Sequence, residues 1–234
     1  MQFSPPLIKG KLIKRYKRFL ADVTLDSGEE ITAHCANTGA MTGCMPAGAN
    51  VWLSVSDNPK RKYPHSWQLV EVKPDVLACI NTSLTNKLAH EALMQNQIEE
   101  LSGFESCRSE VPYGDEGSRV DFVLEYADCK AYVEVKHVTL STEEGVGSFP
   151  DAVTKRGQKH LRELIQQLKC GDRAVLLFII MRTDVNLVTP ADSVDAEYGR
   201  LLREAVREGV EVLAYRAKID PTGMSIDRAI PLML

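Results

Sequence analysis

Two carboxylates and a lysine have the spacing of a metal site on adjacent strands. Asp121 lies within the alternating apolar stretch 120–124, and Glu134 and Lys136 follow thirteen and fifteen positions later. Because side chains two residues apart in a strand point to the same face, Glu134 and Lys136 should share one face of a sheet. Carboxylates on neighbouring strands can hold Mg²⁺ or Mn²⁺, and a lysine beside them can orient water or offset phosphoryl charge. These residues therefore predict metal-assisted phosphodiester hydrolysis.

The acid-x-Lys triplet is weak evidence by itself. The sequence contains three copies, close to the number expected by chance: Glu71-Val72-Lys73, Asp128-Cys129-Lys130 and Glu134-Val135-Lys136. Only the third copy follows an aspartate inside an apolar strand and lies between two predicted helices. Solvated strand charges are the alternative. Glu110, one strand earlier, is a candidate third metal ligand, with an ordinary surface glutamate as its alternative.

A basic stripe follows on the next predicted helix. Lys155, Lys159 and Arg162 fall at i, i+4 and i+7, and Gln158 lies beside them. The helix should begin near the metal site. We therefore expect Gln158 to act in catalysis and Lys155 and Lys159 to contact nucleic acid, with a solvated helix face as the alternative.

Basic and aromatic residues alternate near the start of the chain, in Arg15-Tyr16-Lys17-Arg18-Phe19. In one continuous strand, Arg15, Lys17 and Phe19 would share a face. A cationic groove with an aromatic platform suits single-stranded nucleic acid, whereas an edge strand protected by charge is the alternative. The expected nucleic-acid contacts of this half are Lys14, Arg15, Lys17, Arg18, Arg61 and Lys62.

The charge of the chain is divided unevenly. The 234 residues carry a net charge of −4, but residues 1–73 hold ten basic and six acidic residues and the remainder is acidic. This distribution predicts nucleic-acid binding through the N-terminal part. A composition that is 44% hydrophobic predicts a globular protein. Since no apolar run approaches about 20 residues, we expect no membrane partner and a cytoplasmic location.

Two domains should position these residues. Residues 1–82 predict short strands without helical periodicity, which is typical of an OB-like β-barrel. Residues 83–234 predict an α/β domain, a mixed sheet covered by helices on both faces. The expected strands are 7–13, 15–25, 29–35, 51–56, 67–73, 76–81, 108–113, 119–126, 131–140, 174–181 and 210–217. The expected helices run from 83 to 103, from an N-cap at Asp151 to Gly171, and from about 194 to Gly209.

Several motifs, in order along both halves, resemble the bacterial sugar fermentation stimulation protein A family over essentially the whole chain. They are Phe3-Ser4-Pro5-Pro6-Leu7, Arg15-Tyr16-Lys17-Arg18-Phe19-Leu20-Ala21-Asp22, Asn37-Thr38-Gly39-Ala40-Met41, Arg119-Val120-Asp121-Phe122, Glu134-Val135-Lys136, Phe149-Pro150-Asp151-Ala152 and Arg156-Gly157-Gln158-Lys159-His160-Leu161. The resemblance implies an OB-like domain followed by a restriction-endonuclease-like domain of the PD-(D/E)xK type. On that pattern Asp121, Glu134 and Lys136 occupy the nuclease positions.

The resemblance also implies a function, which is non-specific DNA binding with a regulatory part in sugar metabolism, especially that of maltose. A Mg²⁺- or Mn²⁺-dependent nuclease acting on DNA or RNA is the alternative. A third hypothesis is an adaptor to a transcription regulator, bound through the acidic C-terminal half. A homodimer is a further expectation.

Overall fold

The computed structural model describes residues 1–114 and 116–234. Its N-terminal strands are β1 (Ile8–Tyr16), β2 (Leu20–Leu25), β3 (Glu30–Cys35), β4 (Asn50–Val55), β5 (His65–Lys73) and β6 (Val76–Cys79). They are hydrogen-bonded in the order β3-β2-β1-β4-β5-β6, and a short parallel pairing of β3 with β5 closes the first five into a barrel. Leu12, Val23, Leu53 and Trp67 fill the interior. The OB-like barrel is confirmed.

The predicted strand 15–25 is interrupted. Strand β1 ends at Tyr16 and pairs there with Leu20, the first residue of β2, so that residues 17–19 form the turn of a hairpin. Lys17 and Arg18 have left-handed φ values of 49° and 62°. The prediction that Arg15, Lys17 and Phe19 share a strand face is therefore wrong. The turn contains no Gly, Pro, Asn or Asp, the residue types that mark turns in a sequence.

A six-stranded sheet forms the core of the C-terminal domain. Its strands are β7 (Ser106–Tyr113), β8 (Ser118–Glu125), β9 (Lys130–Val138), β12 (Arg173–Ile180), β14 (Glu211–Asp220) and β15 (Gly223–Ala229), in the order β15-β14-β12-β9-β8-β7. The buried strand β12 runs parallel to both of its neighbours, and the outer pairs are antiparallel. The mixed sheet that the sequence predicts is confirmed.

Helices cover both faces of this sheet. Helix α1 (Ser83–Met94) packs on one face, and α2 (Lys155–Lys169) and α3 (Ala196–Glu208) pack on the other. Within residues 1–114 and 116–234, no helix is long and apolar enough to cross a membrane. A separate small sheet, which the sequence analysis did not predict, consists of β10 (Leu140–Glu143), β11 (Val146–Phe149) and β13 (Leu187–Pro190). Strand β15 was not predicted either.

Two predicted helix ends need correction. Helix α1 ends at Met94, because Asn96 adopts a left-handed φ of 53°, and only a 3₁₀ turn at Glu99–Leu101 follows before Gly103. Helix α2 is capped by Thr154, whose Oγ1 accepts a hydrogen bond from the Gly157 amide at 3.0 Å. Asp151, the predicted cap, lies before the helix, and its carboxylate binds the barrel domain instead.

Asp151 joins the two domains. Its Oδ2 accepts a hydrogen bond from the Met41 amide at 3.1 Å, and Cys44 Sγ, on the same barrel loop, lies 3.7 Å from the Thr139 carbonyl oxygen. A Cβ at Gly39 would lie 2.5 Å from Asp151 Oδ2, so this close approach needs a glycine. The loop at 37–44 is thereby held against the C-terminal domain.

Strand β6 makes a second junction. The Cys79 amide donates to the Met181 carbonyl oxygen at 2.9 Å, and the Thr183 amide donates to the Leu77 carbonyl oxygen at 3.0 Å. The last strand of the barrel sheet thus pairs with the chain that leaves central strand β12. Side-chain contacts at the first junction and main-chain hydrogen bonds at the second fix the position of the barrel relative to the α/β domain.

Asp195 ties helix α3 to helix α2. Its buried carboxylate accepts hydrogen bonds from the Tyr198 amide at 3.0 Å, the Thr154 amide at 2.9 Å and Gln158 Nε2 at 2.8 Å. One side chain therefore caps α3 and fixes the residue that caps α2.

We expect Asp195→Ala to lower the free energy of unfolding by about 2–4 kcal/mol, because it removes a helix cap and leaves buried donors without an acceptor. Urea denaturation followed by circular dichroism would measure the change. Asp192→Ala is the matched control: Asp192 forms only an exposed ion pair with Arg203, so its loss should cost less than about 1 kcal/mol. Equal losses in the two variants would contradict this account.

Candidate active site

Asp121 and Glu134 meet where strands β8 and β9 part. Backbone pairing between the two strands ends at Phe122 and Val133, and beyond it Asp121 Oδ2 accepts the Val135 amide hydrogen bond at 2.7 Å. Asn86 of helix α1 donates to Asp121 Oδ1 at 2.7 Å. The Asp121 side chain thus takes the place of a backbone acceptor for the Val135 amide, and its two hydrogen bonds hold it in one orientation. The structure brings Asp121, Glu134 and Lys136 together, as the sequence predicts.

Glu134 is buried with one of its oxygens unused. Its side chain is 4% exposed. Oε1 accepts from Lys136 Nζ at 2.5 Å and also contacts His160 Nδ1. Among the residues that the structure describes, Oε2 has no hydrogen-bond partner. A buried carboxylate oxygen without a partner is costly, so this atom is suited to a ligand that the protein does not itself supply.

A divalent cation fits these donors. Mg²⁺ commonly uses one or two protein carboxylates and keeps several waters, and the unpartnered Glu134 Oε2 beside Asp121 offers that set. In the part of the chain that the structure describes, no group of three or more His, Cys, Asp or Glu side chains converges on one metal position. Two carboxylates are therefore the protein ligands that this arrangement offers.

His160 orients Glu134 and is itself held by Arg156. Arg156 Nε donates to His160 Nε2 at 3.3 Å, so Nε2 accepts and the ring proton lies on Nδ1, facing Glu134. Both residues lie on helix α2, four positions apart. Neither residue was predicted from the sequence to act at the site. The available signal was their i, i+4 spacing on the helix that follows the carboxylate triplet.

The site opens into a cleft between the domains. A cavity of about 220 Å³ is lined by Asp121, Glu134, Lys136, Arg156 and His160, among others. A second cavity of about 340 Å³ shares Lys136 with it and extends between barrel residues 37–39 and residues 148–154 of the α/β domain. The barrel therefore contributes one wall of the cleft, and Lys136 lies where the two cavities meet.

The two carboxylates titrate differently. Burial, together with the negative charge of Glu134, raises the pKa of Asp121 to about 6. Burial also acts to raise the pKa of Glu134, but the Lys136 ammonium and the His160 hydrogen bond outweigh it and leave that pKa below its ordinary value. Without a bound cation, both carboxylates are largely ionised at neutral pH, and Asp121 is the one whose ionisation the folded protein disfavours.

Two predicted site residues are not brought to the cleft. Gln158 lies two positions from both Arg156 and His160, about 200° around the helix, and its amide donates to Asp195. Glu110 lies opposite Asp121 in the β7–β8 register, but it has a left-handed φ of 55°, its side chain is exposed, and it does not line the cavity. The structure therefore corrects the placement of both residues.

The three basic side chains of the stripe on helix α2 differ in their contacts. Lys159 Nζ donates to the Glu116 carbonyl oxygen, and Arg162 binds the Glu116 carboxylate at 3.1 and 3.2 Å. Lys155 is exposed at the start of the helix, beside the cleft, and has no carboxylate within 4 Å among the described residues. Of the two lysines expected to contact nucleic acid, Lys155 is the one that lies beside the cleft without a direct ion pair among the described residues.

The basic residues of the barrel also differ in their surroundings. Arg15 turns inward, and its guanidinium binds the carbonyl oxygens of Arg18 and Asn37 at 2.9 and 2.8 Å. Lys14 lies 3.8 Å from the Asp22 carboxylate. Of the six predicted contacts, five are exposed: Lys14, Lys17, Arg18, Arg61 and Lys62. Arg15 therefore organises the hairpin tip, and the exposed side chains supply the accessible charge.

The comparisons with known proteins agree with this two-domain arrangement. The Sugar fermentation stimulation protein RE domain family matches residues 83–223, and the SfsA N-terminal OB domain family matches residues 13–80. The chain belongs to the sugar fermentation stimulation protein family. A sugar fermentation stimulation protein homolog of Pseudomonas putida (strain GB-1) is 52% identical over 100% of this chain and 99% of its own length.

A solved member of the family has the same fold. The structure of Pyrococcus furiosus SfsA in complex with Ca²⁺ matches with a TM-score of 0.89 and 26% identity, covering 100% of this chain and 98% of that protein. The chain therefore contains both domains that the family models describe.

We expect Asp121→Asn to stabilise the metal-free protein increasingly as the pH rises from 4 to 8. The folded pKa of about 6 exceeds the ordinary 3.8, so the folded state binds the proton more tightly and the wild type loses stability over that interval. The free energy of unfolding of the variant relative to the wild type should grow by about 1–3 kcal/mol, measured by urea denaturation in EDTA.

Asp184→Asn is the control of opposite sign. Although Asp184 is partly buried, Arg182 and Lys73 hold its pKa below the ordinary value, so that the wild type gains stability from this group as the pH rises. The Asp184→Asn substitution should therefore have a nearly constant effect from about pH 5 to 8 and become less harmful only below about pH 4, where the wild-type carboxyl takes up its proton. A pH-independent effect of Asp121→Asn would show that its carboxyl is not destabilised in the folded state.

Proposed function

We propose that this protein binds nucleic acid and hydrolyses phosphodiester bonds with a divalent cation held by Asp121 and Glu134. The observation that carries the proposal is the buried Glu134 Oε2, which has no protein partner and lies beside a second carboxylate in a cleft. An acidic pair that served only the fold would be expected to have its buried oxygens satisfied.

The cation would be Mg²⁺ or Mn²⁺, bound through carboxylate oxygens and water. When bound, it would activate water and offset negative charge on the phosphoryl group. The Ca²⁺ complex of the Pyrococcus furiosus relative supports a site for a hard divalent cation in this family.

Three other side chains have roles in the proposed reaction. Lys136, held against Glu134 at the junction of the two cavities, can offset charge on the phosphate or orient the attacking water. Arg156 presents its guanidinium to the cleft and is the proposed phosphate ligand. His160 is a positioning residue, because its Nδ1–H fixes Glu134 with Oε2 free. The proposed catalytic set is thus Asp121, Glu134, Lys136 and Arg156.

Nucleic-acid binding without cleavage is the second candidate function. It is favoured by the barrel domain, since OB-folds bind oligonucleotides, and by the exposed Lys17, Arg18, Arg61 and Lys62. In this form the protein would be a non-specific DNA-binding factor, and the regulatory role in maltose metabolism would follow from that binding. A homodimer, a transcription-regulator partner and the cytoplasmic location stay predictions.

Hydrolysis of labelled DNA and RNA with Mg²⁺ or Mn²⁺ tests the first candidate. We expect strand scission that EDTA abolishes and that Asp121→Asn and Glu134→Gln each reduce at least about 100-fold, because each removes a cation ligand. Asp192→Asn, an exposed carboxylate on α3's side of the domain, is the control and should leave the rate unchanged.

Cleavage that survives both substitutions would place the activity elsewhere or in a contaminant. Absence of cleavage on every substrate, with DNA binding intact, would leave binding as the function.

Arg156→Gln should reduce the rate of hydrolysis about 100-fold, because it removes both the exposed guanidinium proposed to bind the phosphate and the donor that holds His160 against Glu134. Single-turnover kinetics would measure the rate. Arg162→Gln is the matched control on the same helix, since that guanidinium is paired with Glu116 away from the cleft. Equal effects of the two substitutions would exclude a specific role for Arg156.

A further inference from the structure

We propose that the interdomain cleft takes an unpaired stretch of nucleic acid, one base of which stacks on Phe19 at the tip of the β1–β2 hairpin. The inference rests on the proposed function and specifies its substrate as single-stranded. It depends on which groups border the mouth of the cleft, and on how the barrel presents them.

Arg15 fastens the hairpin tip to the wall of the cleft. Its Nη2 lies 2.9 Å from the Arg18 carbonyl oxygen, 2.8 Å from that of Asn37 and 3.2 Å from that of Gly39. Asn37 and Gly39 line the same cavity as Lys136. One guanidinium group thus joins the turn at 17–19 to the loop at 37–39, and the turn must lie beside the cleft.

The fastened turn carries the groups that a single strand requires. The Phe19 side chain is 49% exposed, and the preceding Lys17 and Arg18 are exposed with no carboxylate within 4 Å among the described residues. Nucleobases stack on exposed aromatic rings whatever their sequence. Cations beside the ring would bind the flanking phosphates.

The opposite side of the cleft repeats this combination. Val153 lines the cavity and is 64% exposed, and it is followed closely by the exposed Lys155 and Arg156 at the start of helix α2. Only a few large apolar side chains of the described chain are comparably exposed; one of them, Val153, lines this cleft, and Phe19 stands on the turn that Arg15 holds against its wall. An apolar group with adjacent cations on each side suits a strand that enters between the domains and reaches Lys136.

The exposed apolar side chains determine whether the cleft favours single-stranded or double-stranded nucleic acid. In a duplex the base faces are stacked on one another and only phosphates, sugars and base edges meet a protein, so Phe19 and Val153 would find no apolar partner. An unpaired strand exposes the faces of its bases. The cations alone would bind both forms, whereas the exposed ring favours the unpaired one.

Fluorescence anisotropy with the full chain in EDTA tests the inference, using labelled dT20, rU20 and a 20-base-pair duplex at one salt concentration. We expect the wild type to bind dT20 or rU20 more tightly than the duplex. Phe19→Ala should raise the dissociation constant for the single strand about tenfold and that for the duplex less than about twofold. Phe19→Trp should restore single-strand binding, which separates stacking from damage to the hairpin.

Met94→Ala is the matched control, because Met94 is 55% exposed at the far end of helix α1 and should leave both affinities unchanged. Unchanged single-strand affinity in Phe19→Ala, or an equal loss for single strand and duplex, would overturn the inference. If the Asp121→Asn variant still abolishes metal-dependent hydrolysis in that case, only the stacking platform is refuted. If the wild type neither binds nor cleaves any of the three nucleic acids, the proposed function is refuted as well.

Discussion

The buried charge of Glu134 is the constraint on which the site depends. Its carboxylate is stabilised from one side only, by Lys136 and His160, and its second oxygen stays unpartnered. Placing that charge inside the protein is tolerable because an ammonium group and a ring N–H face it, and His160 can do so because Arg156 fixes its tautomer. The neighbouring Asp121 then experiences a second negative charge in a poorly solvated place, which is why its pKa rises.

This arrangement requires strands β8 and β9 to separate at a defined point. Asp121 takes the hydrogen bond of the Val135 amide, so the sheet loses a backbone pairing without leaving a donor unsatisfied. Helix α1 supports the aspartate through Asn86, and helix α2 supports the glutamate through His160. The site is therefore built by the sheet and by one helix from each of its faces.

The barrel completes the cleft, and it can do so because its position is fixed. Strand β6 continues into pairing with the end of β12, and the Asp151 carboxylate binds the loop that carries Met41. Arg15 in turn fixes the hairpin tip, because its guanidinium binds the carbonyl oxygen of Arg18 in the turn and that of Asn37 in the neighbouring loop. A barrel tethered only by a linker would not hold its loops in one orientation relative to Lys136.

Much of the fold could be predicted from the sequence because short-range rules govern it. Strand alternation placed Glu134 and Lys136 on one face, and the apolar run of β12 marked the centre of the sheet. The helix ends were predicted less well: Thr154 displaced Asp151 as the cap because Asp151 is engaged by the barrel. The turn at 17–19 was missed because none of its residues favours a left-handed φ, and tertiary contacts from Arg15 help to hold it.

By itself, the sequence determined the two-domain architecture, the uneven charge and the pairing of Asp121 with the Glu134–Lys136 strand, since each follows from residue type and local periodicity. Only the tertiary structure decided which face of helix α2 meets the site. It selected Arg156 and His160 and directed Gln158 to Asp195, because that choice depends on how the helix packs against a distant strand. It also decided that barrel and sheet share one cleft, since the contacts of Asp151 and Arg15 link residues far apart in the chain.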